Sequence, residues 1–179
     1  MTPFLTFLTP TYRRPRALAA CLQSVGEQTA VDAIEQIVLV DHVGLGVGGM
    51  FASLPSYAPV VHGQYVHLLA DDDTLAFPTV VADVQRFAAA HQNPPVILVR
   101  VYKPGTFEWP TPSWPPTLGA IDLGCLIVRR DVWQAHVQDY GARYEGDYDF
   151  AASVAQAGHA AVFCDVPFLV GAVMRGAAE

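Results

Sequence analysis

Short apolar runs alternate along the chain with longer stretches in which apolar residues recur every three or four positions. The first run, Phe4 to Leu8, is closed by Thr9-Pro10 and predicts a buried strand. Pro15 then suits the first turn of a helix, where a missing N–H costs nothing. Leu18, Cys21, Leu22 and Val25 follow at helical spacing and predict one buried face. Gln36 to Val40 predicts a second strand, and Met50 to Leu54 one or two helical turns. Tyr65 to Leu69 predicts a third strand that runs into Asp71-Asp72-Asp73. Pro78 marks another helix start, with Val80, Val81, Val84, Phe87 and Ala88 facing inward. Val96 to Val101 and Cys125 to Val128 predict further strands, the latter followed by a helix from about Asp131. Asp147 to Ala157 predicts a helix with Phe150, Ala151 and Val154 inside, and Ala160 to Cys164 a last short strand.

Strands alternating with helices imply an α/β fold with a mostly parallel central sheet flanked by helices. No repeat or boundary divides residues 1–179, so one domain is expected. Lys103 to Thr117 carries five prolines and two tryptophans, a composition for a long loop over a site rather than a linker. Hydrophobic residues make up 52% of the chain and charged ones 15%, as in an ordinary folded protein. A net charge of -7 opposes a phosphate backbone, so no nucleic-acid partner is expected. A nucleotide stays open, because a metal ion can bridge carboxylates to a diphosphate. Cys21, Cys125 and Cys164 are far apart and unpaired in spacing, which predicts buried thiols in a reducing compartment. No apolar stretch approaches a transmembrane span, and Met1 to Leu8 lacks the pattern of a signal peptide, so a cytoplasmic location is expected.

Three consecutive carboxylates at the end of an apolar strand repel one another and contribute nothing to packing. In open α/β sheets ligands bind beyond the carboxyl ends of the strands, where Asp71, Asp72 and Asp73 are expected. Carboxylates at i and i+2 can share a hard cation such as Mg2+ or Mn2+, or divide a metal and a ribose between them. A solvated acidic turn capping the next helix fits the same residues.

Read in order, the chain offers Thr9-Pro10-Thr11-Tyr12-Arg13-Arg14 after the first strand, Asp41 after the second, Asp71-Asp72-Asp73 after the third, and later Gly146-Asp147. This ordered set resembles glycosyltransferase family 2, over nearly the whole chain. The resemblance implies a GT-A-type, Rossmann-like fold, with a nucleotide-binding half over about residues 1–75 and an acceptor-side half over about 76–179. It implies inverting, divalent-metal-dependent transfer of a sugar from a nucleotide-diphospho-sugar, UDP-sugars favoured, to an acceptor hydroxyl. Thr9, Pro10, Thr11 and Tyr12 would cradle base and ribose, Asp41 would accept a hydrogen bond from the base, and Asp71 and Asp72 would face the donor. Asp71 and Asp73 would form the Asp-x-Asp pair, with Asp73 the direct ligand of Mn2+ or Mg2+ and Asp72 the alternative, since the spacing to Pro78 is one residue longer than usual. Asp147 matches the general base, a position where Asp also serves as a helix N-cap.

Several other residues stand beside this set. Asp122, before the run Leu123 to Val128, is a sugar contact or a turn residue. Trp109 and Trp114 stack on sugars or close the core under their loop. Arg14 approaches the diphosphate or lies on the surface. The chain departs from the family at Asp41-His42 and Gly146-Asp147, each with one carboxylate fewer. The later histidine or basic segment of many relatives has no counterpart before Glu179. A non-catalytic or partner-dependent relative therefore stands as the alternative. Gly44, Gly46 and Gly49 also spell the dinucleotide-binding pattern of an NAD enzyme, with an acidic residue roughly twenty positions on. Asp41-His42-Val43 intrudes before those glycines, and Pro55 and Pro59 cut short the helix that should follow.

Overall fold

The computed structural model describes residues 2–102 and 113–171, with the backbone of 108–109. Eight strands form one sheet: β1 (Leu5–Thr11), β2 (Ile34–Val40), β3 (Tyr65–Leu68), β4 (Thr74–Leu75), β5 (Val96–Tyr102), β6 (Glu108–Trp109), β7 (Leu126–Arg129) and β8 (Ala161–Val170). The order is β2-β1-β3-β7-β5-β8-β4, with β6 paired to β5. β1 is parallel to both β2 and β3, and β5 to β8. β7 runs antiparallel between β3 and β5, while β4 and β6 oppose β8 and β5. Five strands therefore point one way, as the alternating pattern predicts, and three point the other. The reversal of β7 matters for the site. It brings the residues just before Leu126 level with the carboxyl ends of β3 and β5.

Helices α1 (Pro15–Gly26), α2 (Gly46–Ser53), α3 (Val80–Ala90), α4 (Arg130–His136) and α5 (Gly146–Gln156) complete the described fold. Pro15 occupies the first turn of α1 as expected, but its buried face is narrower. Cys21 and Val25 are buried, while Leu22 is 38% exposed. In α3 the expected inward residues are buried apart from Phe87, which packs on the core from its edge. In α5 Phe150, Ala151 and Val154 are all buried.

Two strands run further than the apolar pattern predicts. β1 continues through Thr9-Pro10 to Thr11, paired with β2 at Thr9↔Val38, Pro10↔Leu39 and Thr11↔Val40. Proline is tolerated because Pro10 faces the β3 side, where the β1–β3 pairing ends at Leu8↔Leu68. β8 continues past Cys164 to Val170, absorbing Asp165 and Pro167 in register shifts opposite Arg100. Its far end then pairs with β4, with Val170 opposite Thr74, and clamps the segment just after Asp73.

The core lies on both faces of the sheet, and its largest fully buried side chains include Trp133, Tyr65, Phe7, Phe51, Phe150 and Phe168. Phe51, Tyr140 and Phe150 stack in series, with ring centroids 5.2 and 4.2 Å apart, and tie α2 to α5. All three cysteines are buried free thiols. Among the described residues, no helix is long and apolar enough to cross a membrane.

Candidate active site

The carboxyl ends of β1, β2 and β3 deliver their following residues to one edge of the sheet. The turn after β3, held by the Asp73 N–H donating to the Ala70 carbonyl at 3.1 Å, folds the acidic cluster back against β1. Asp71 is 1% exposed. Its Oδ2 accepts a hydrogen bond from the Thr11 hydroxyl at 2.7 Å, and its Oδ1 lies 3.3 Å from Arg14 Nη2. Burial pushes the Asp71 carboxyl above its ordinary range, against the opposing pull of Thr11 and Arg14. Asp72 is more exposed and accepts from Arg14 Nη1 at 2.6 Å. Asp73 is 8% exposed and near enough to the Cys21 thiol to raise it further, although burial alone is the larger cause of a value of about 12.

Oxygen-only donors suit a hard divalent cation. Asp71 Oδ1 is buried and has no hydrogen-bond partner, an arrangement that costs stability unless something else offsets it. Among the described residues, no group of three or more His, Cys, Asp or Glu side chains could hold a cation alone. Asp71 and Asp73 therefore fit a cation as a partial ligand set. Mg2+-like ions are commonly held so, by one or two carboxylates plus substrate phosphates and water.

Asp41 caps the loop after β2. Its carboxylate accepts from the backbone N–H groups of Val43 at 2.9 Å, Gly44 at 2.7 Å and Leu45 at 2.6 Å. Slight desolvation works upward, but these donors outweigh it and hold the carboxyl below its ordinary value. The expected base acceptor is thus largely engaged in shaping the loop. That loop packs beneath Tyr12, since a Cβ on Gly44, at φ +79°, would lie 2.9 Å from the Tyr12 ring. Of the dinucleotide-like glycines, Gly44 donates to Asp41, while Gly46 and Gly49 lie in α2. The helix behind them ends at Ser53 before a 3-10 segment containing Pro55 and Pro59.

Asp147 lies in the first turn of α5, after an N-cap at Glu145 that makes no side-chain cap hydrogen bond. It is therefore not the N-cap. Its Oδ1 accepts from the Tyr148 N–H at 2.8 Å. Burial raises its pKa to about 6, with repulsion from Asp122 and Asp149 adding to the rise and the Tyr148 N–H opposing it. Asp122 sits just before β7, at the same sheet edge as the acidic cluster, and its Oδ1 accepts from the Gly124 N–H at 3.0 Å. The antiparallel run of β7 is what brings Asp122 within electrostatic range of Asp147. Arg143 grips Asp149 through Nε at 2.7 Å and fixes the loop before α5.

The edge does not gather every residue that the sequence suggests. Thr9 is fully buried, and its hydroxyl accepts from Gln36 Nε2 at 3.0 Å. It lies on the same side of the β1 pleat as Thr11, two residues in from the edge. Trp114 donates from Nε1 to the His159 carbonyl at 2.8 Å, two residues before β8 begins. That is the amino end of the parallel strands, the opposite edge from Asp71, so Trp114 closes the core there instead of lining the cleft. The Trp109 side chain lies outside the described residues, as does most of the proline-rich loop. Pro10 is partly exposed and Tyr12 is 36% exposed beside Arg13, whose guanidinium lies 5.0 Å over the Tyr12 ring. A groove of about 560 Å3, lined by Thr2, Pro3, Glu35, His62 and Arg130, also opens at the amino-terminal edge, away from the carboxylates. Sequence reasoning missed the Arg143–Asp149 brace and the Gly44 seat of Tyr12. Opposite charges six residues apart around a helix start were the signal for the brace.

No family model matches the chain, and no curated protein matches it either. Solved structures do. TarS 1–349 from S. aureus in complex with UDP-GlcNAc superposes with a TM-score of 0.71 at 14% identity, over 97% of this chain and 59% of that one. TarS itself superposes with a TM-score of 0.71 at 13% identity, over 94% of this chain and 36% of that one. The mannosyltransferase PcManGT from Pyrobaculum calidifontis, in complex with GDP-Man and Mn2+, superposes with a TM-score of 0.67 at 12% identity, over 98% and 59%. The chain thus spans about three fifths or less of the length of these structures. The chain shares the fold of these solved structures, a mannosyltransferase among them, and so has a glycosyltransferase fold.

Proposed function

We propose that the chain is a GT-A-type, family 2-like glycosyltransferase. It transfers a sugar from a nucleotide-diphospho-sugar, UDP-sugars favoured, to an acceptor hydroxyl with inversion and with help from Mn2+ or Mg2+. Residues 1–75 supply most of the donor side and residues 76–179 the acceptor side. The observation that carries this reading is the separation of two carboxylate environments at one sheet edge. Asp71 and Asp72 face a cation in Arg14, whereas Asp147 stands apart, partly buried, with a pKa of about 6. A carboxylate paired with a guanidinium and a carboxylate without one are suited to different roles, the first at a cation and the second as a base.

Tyr12, Pro10 and the Asp41 loop form the shelf for base and ribose, and Thr11 orients Asp71. Asp73 and Asp71 would hold the cation, which when bound neutralises charge developing on the leaving diphosphate. Asp147 accepts the proton of the acceptor hydroxyl as its oxygen bonds to the anomeric carbon and the bond to the diphosphate oxygen breaks. The products are the glycoside, of inverted configuration, and a nucleoside diphosphate. A carboxylate of pKa near 6 is ionised at neutral pH yet basic enough to serve. Asp122, beside Asp147, contacts the transferred sugar or the acceptor. The structural relatives were solved with UDP-GlcNAc and with GDP-Man and Mn2+, which supports a nucleotide-sugar donor in general and sugar transfer as the reaction class.

The test is release of nucleoside diphosphate from a panel of UDP- and GDP-sugars, with Mn2+ or with a chelator. Metal-dependent release that Asp147→Asn lowers by about 10²- to 10⁴-fold is expected. Retention of anomeric configuration, or release unaffected by Asp147→Asn, would rule out this mechanism. Tight binding of donor with no turnover in any condition would favour the non-catalytic, partner-dependent alternative.

A further inference from the structure

We infer that Arg14 is a built-in countercharge that a divalent cation must displace, so cation and nucleoside diphosphate enter this cleft as a coupled pair. The inference rests on the transferase reading of the same site. A nearly fully buried carboxylate such as Asp71 needs a nearby cation or donors on both oxygens. Thr11 satisfies Oδ2, and Oδ1 has no hydrogen bond but a guanidinium 3.3 Å away. The planar fork of arginine lets one residue span two neighbouring carboxylates, with Nη2 toward Asp71 and Nη1 on Asp72 at 2.6 Å. In this arrangement Arg14 occupies the charge-balancing role that a divalent cation would fill.

Arg14 is also placed to leave. Its side chain is 48% exposed, and it is anchored at the turn between β1 and α1, immediately before Pro15. Helix α1 begins there with no side-chain cap and no acidic residue in its first turn. The helix N-terminus beside Arg14 is therefore electropositive and suited to an anion. A cation arriving alone must break the Arg14 pairs and gains only a partial ligand set. A diphosphate arriving alone meets three aspartates whose charge Arg14 only partly offsets. With both present, Asp71 and Asp73 would hold the cation, the diphosphate would supply oxygens that the protein lacks, and Arg14 would be free to pair with a phosphate oxygen. Each ligand then raises the affinity of the other by the same factor, as thermodynamic reciprocity requires.

The test measures Mn2+ binding by paramagnetic resonance, with and without saturating UDP or GDP, for wild type, Arg14→Gln and Arg14→Lys. Melting temperatures confirm that each variant is folded. For wild type we expect weak Mn2+ binding that the nucleotide strengthens by tenfold or more. Arg14→Gln should bind Mn2+ about three- to tenfold more tightly without nucleotide and lose most of the nucleotide enhancement. Arg14→Lys, with a point charge in place of the fork, should fall between them. If Arg14→Gln leaves or weakens nucleotide-free Mn2+ binding while wild type still binds Mn2+ and nucleotide together, the countercharge role is overturned and the transferase reading stands. If wild type shows no joint binding of Mn2+ with either nucleotide, both are overturned.

Discussion

Asp147 is ionised at neutral pH although its surroundings disfavour the charge, and that tension has two measurable consequences. Its folded-state pKa of about 6 exceeds the 3.8 of an ordinary aspartate. Folded protein therefore holds this proton more tightly than unfolded protein, and the stability from the neutral carboxyl is lost as pH rises through about 6. Asp147→Asn should melt at a higher temperature than wild type at pH 7.5, and the gain should shrink as pH falls through about 6 and vanish only below 3.8, where the carboxyl is neutral in the unfolded chain as well. Turnover should show the opposite dependence. In wild type it should fall as pH drops below about 6, because the protonated carboxyl cannot accept the acceptor's proton. Thr11 makes a second case at this scale. Thr11→Val removes the donor on Asp71 Oδ2 and leaves that oxygen buried without a partner. A loss of about 1–3 kcal/mol in denaturant unfolding is expected, together with weaker joint binding of Mn2+ and nucleotide.

Among the elements, what positions Asp147 is close backbone packing at the start of α5. A Cβ on Gly146 would lie 2.3 Å from the Gly141 carbonyl oxygen and 2.6 Å from Phe51 Cδ2. Neither the backbone nor a ring in a three-ring stack yields easily. Gly146→Ala should therefore displace the first turn of α5 and lower turnover by about tenfold or more while donor binding persists. A comparable fall in donor binding would contradict this. These elements also show where sequence reasoning succeeds and where it stops. Apolar periodicity placed the α3 and α5 faces well, because α3 is buried against β8 and α5 against α4 and the Tyr140 ring. It ended β1 at Leu8 and β8 at Cys164, because Pro10, Asp165 and Pro167 read locally as strand breakers. Strand pairing overrode them, through the unpaired side of β1 and the register shifts of β8. The acidic run and Asp147 stood out in the chain because charge after an apolar strand, or at a helix start, carries its own meaning. What meets the buried Thr9 hydroxyl, and to which edge Trp114 is drawn, are set by partners 27 and 45 residues away. No local pattern encodes those.

At the scale of the whole molecule, a sheet of mixed direction gathers Thr11, Arg14, Asp71, Asp72, Asp73, Asp122 and Asp147 toward one edge and leaves the opposite edge to Trp114 and the Glu35–His62–Arg130 groove. The reversed β7 is the device, since it feeds Asp122 to the carboxyl ends that the parallel strands already share. The proposed transfer requires that this edge bind a nucleoside diphosphate together with a divalent cation. The most direct measurement is the melting temperature with UDP, GDP and NAD, each with and without Mn2+, in wild type and Asp73→Ala. A ligand that binds only the folded state must raise it. The account predicts a rise with UDP or GDP that needs Mn2+ and is lost in Asp73→Ala. A rise with NAD that is indifferent to Mn2+, or a nucleotide-dependent rise that Asp73→Ala retains in full, would contradict it.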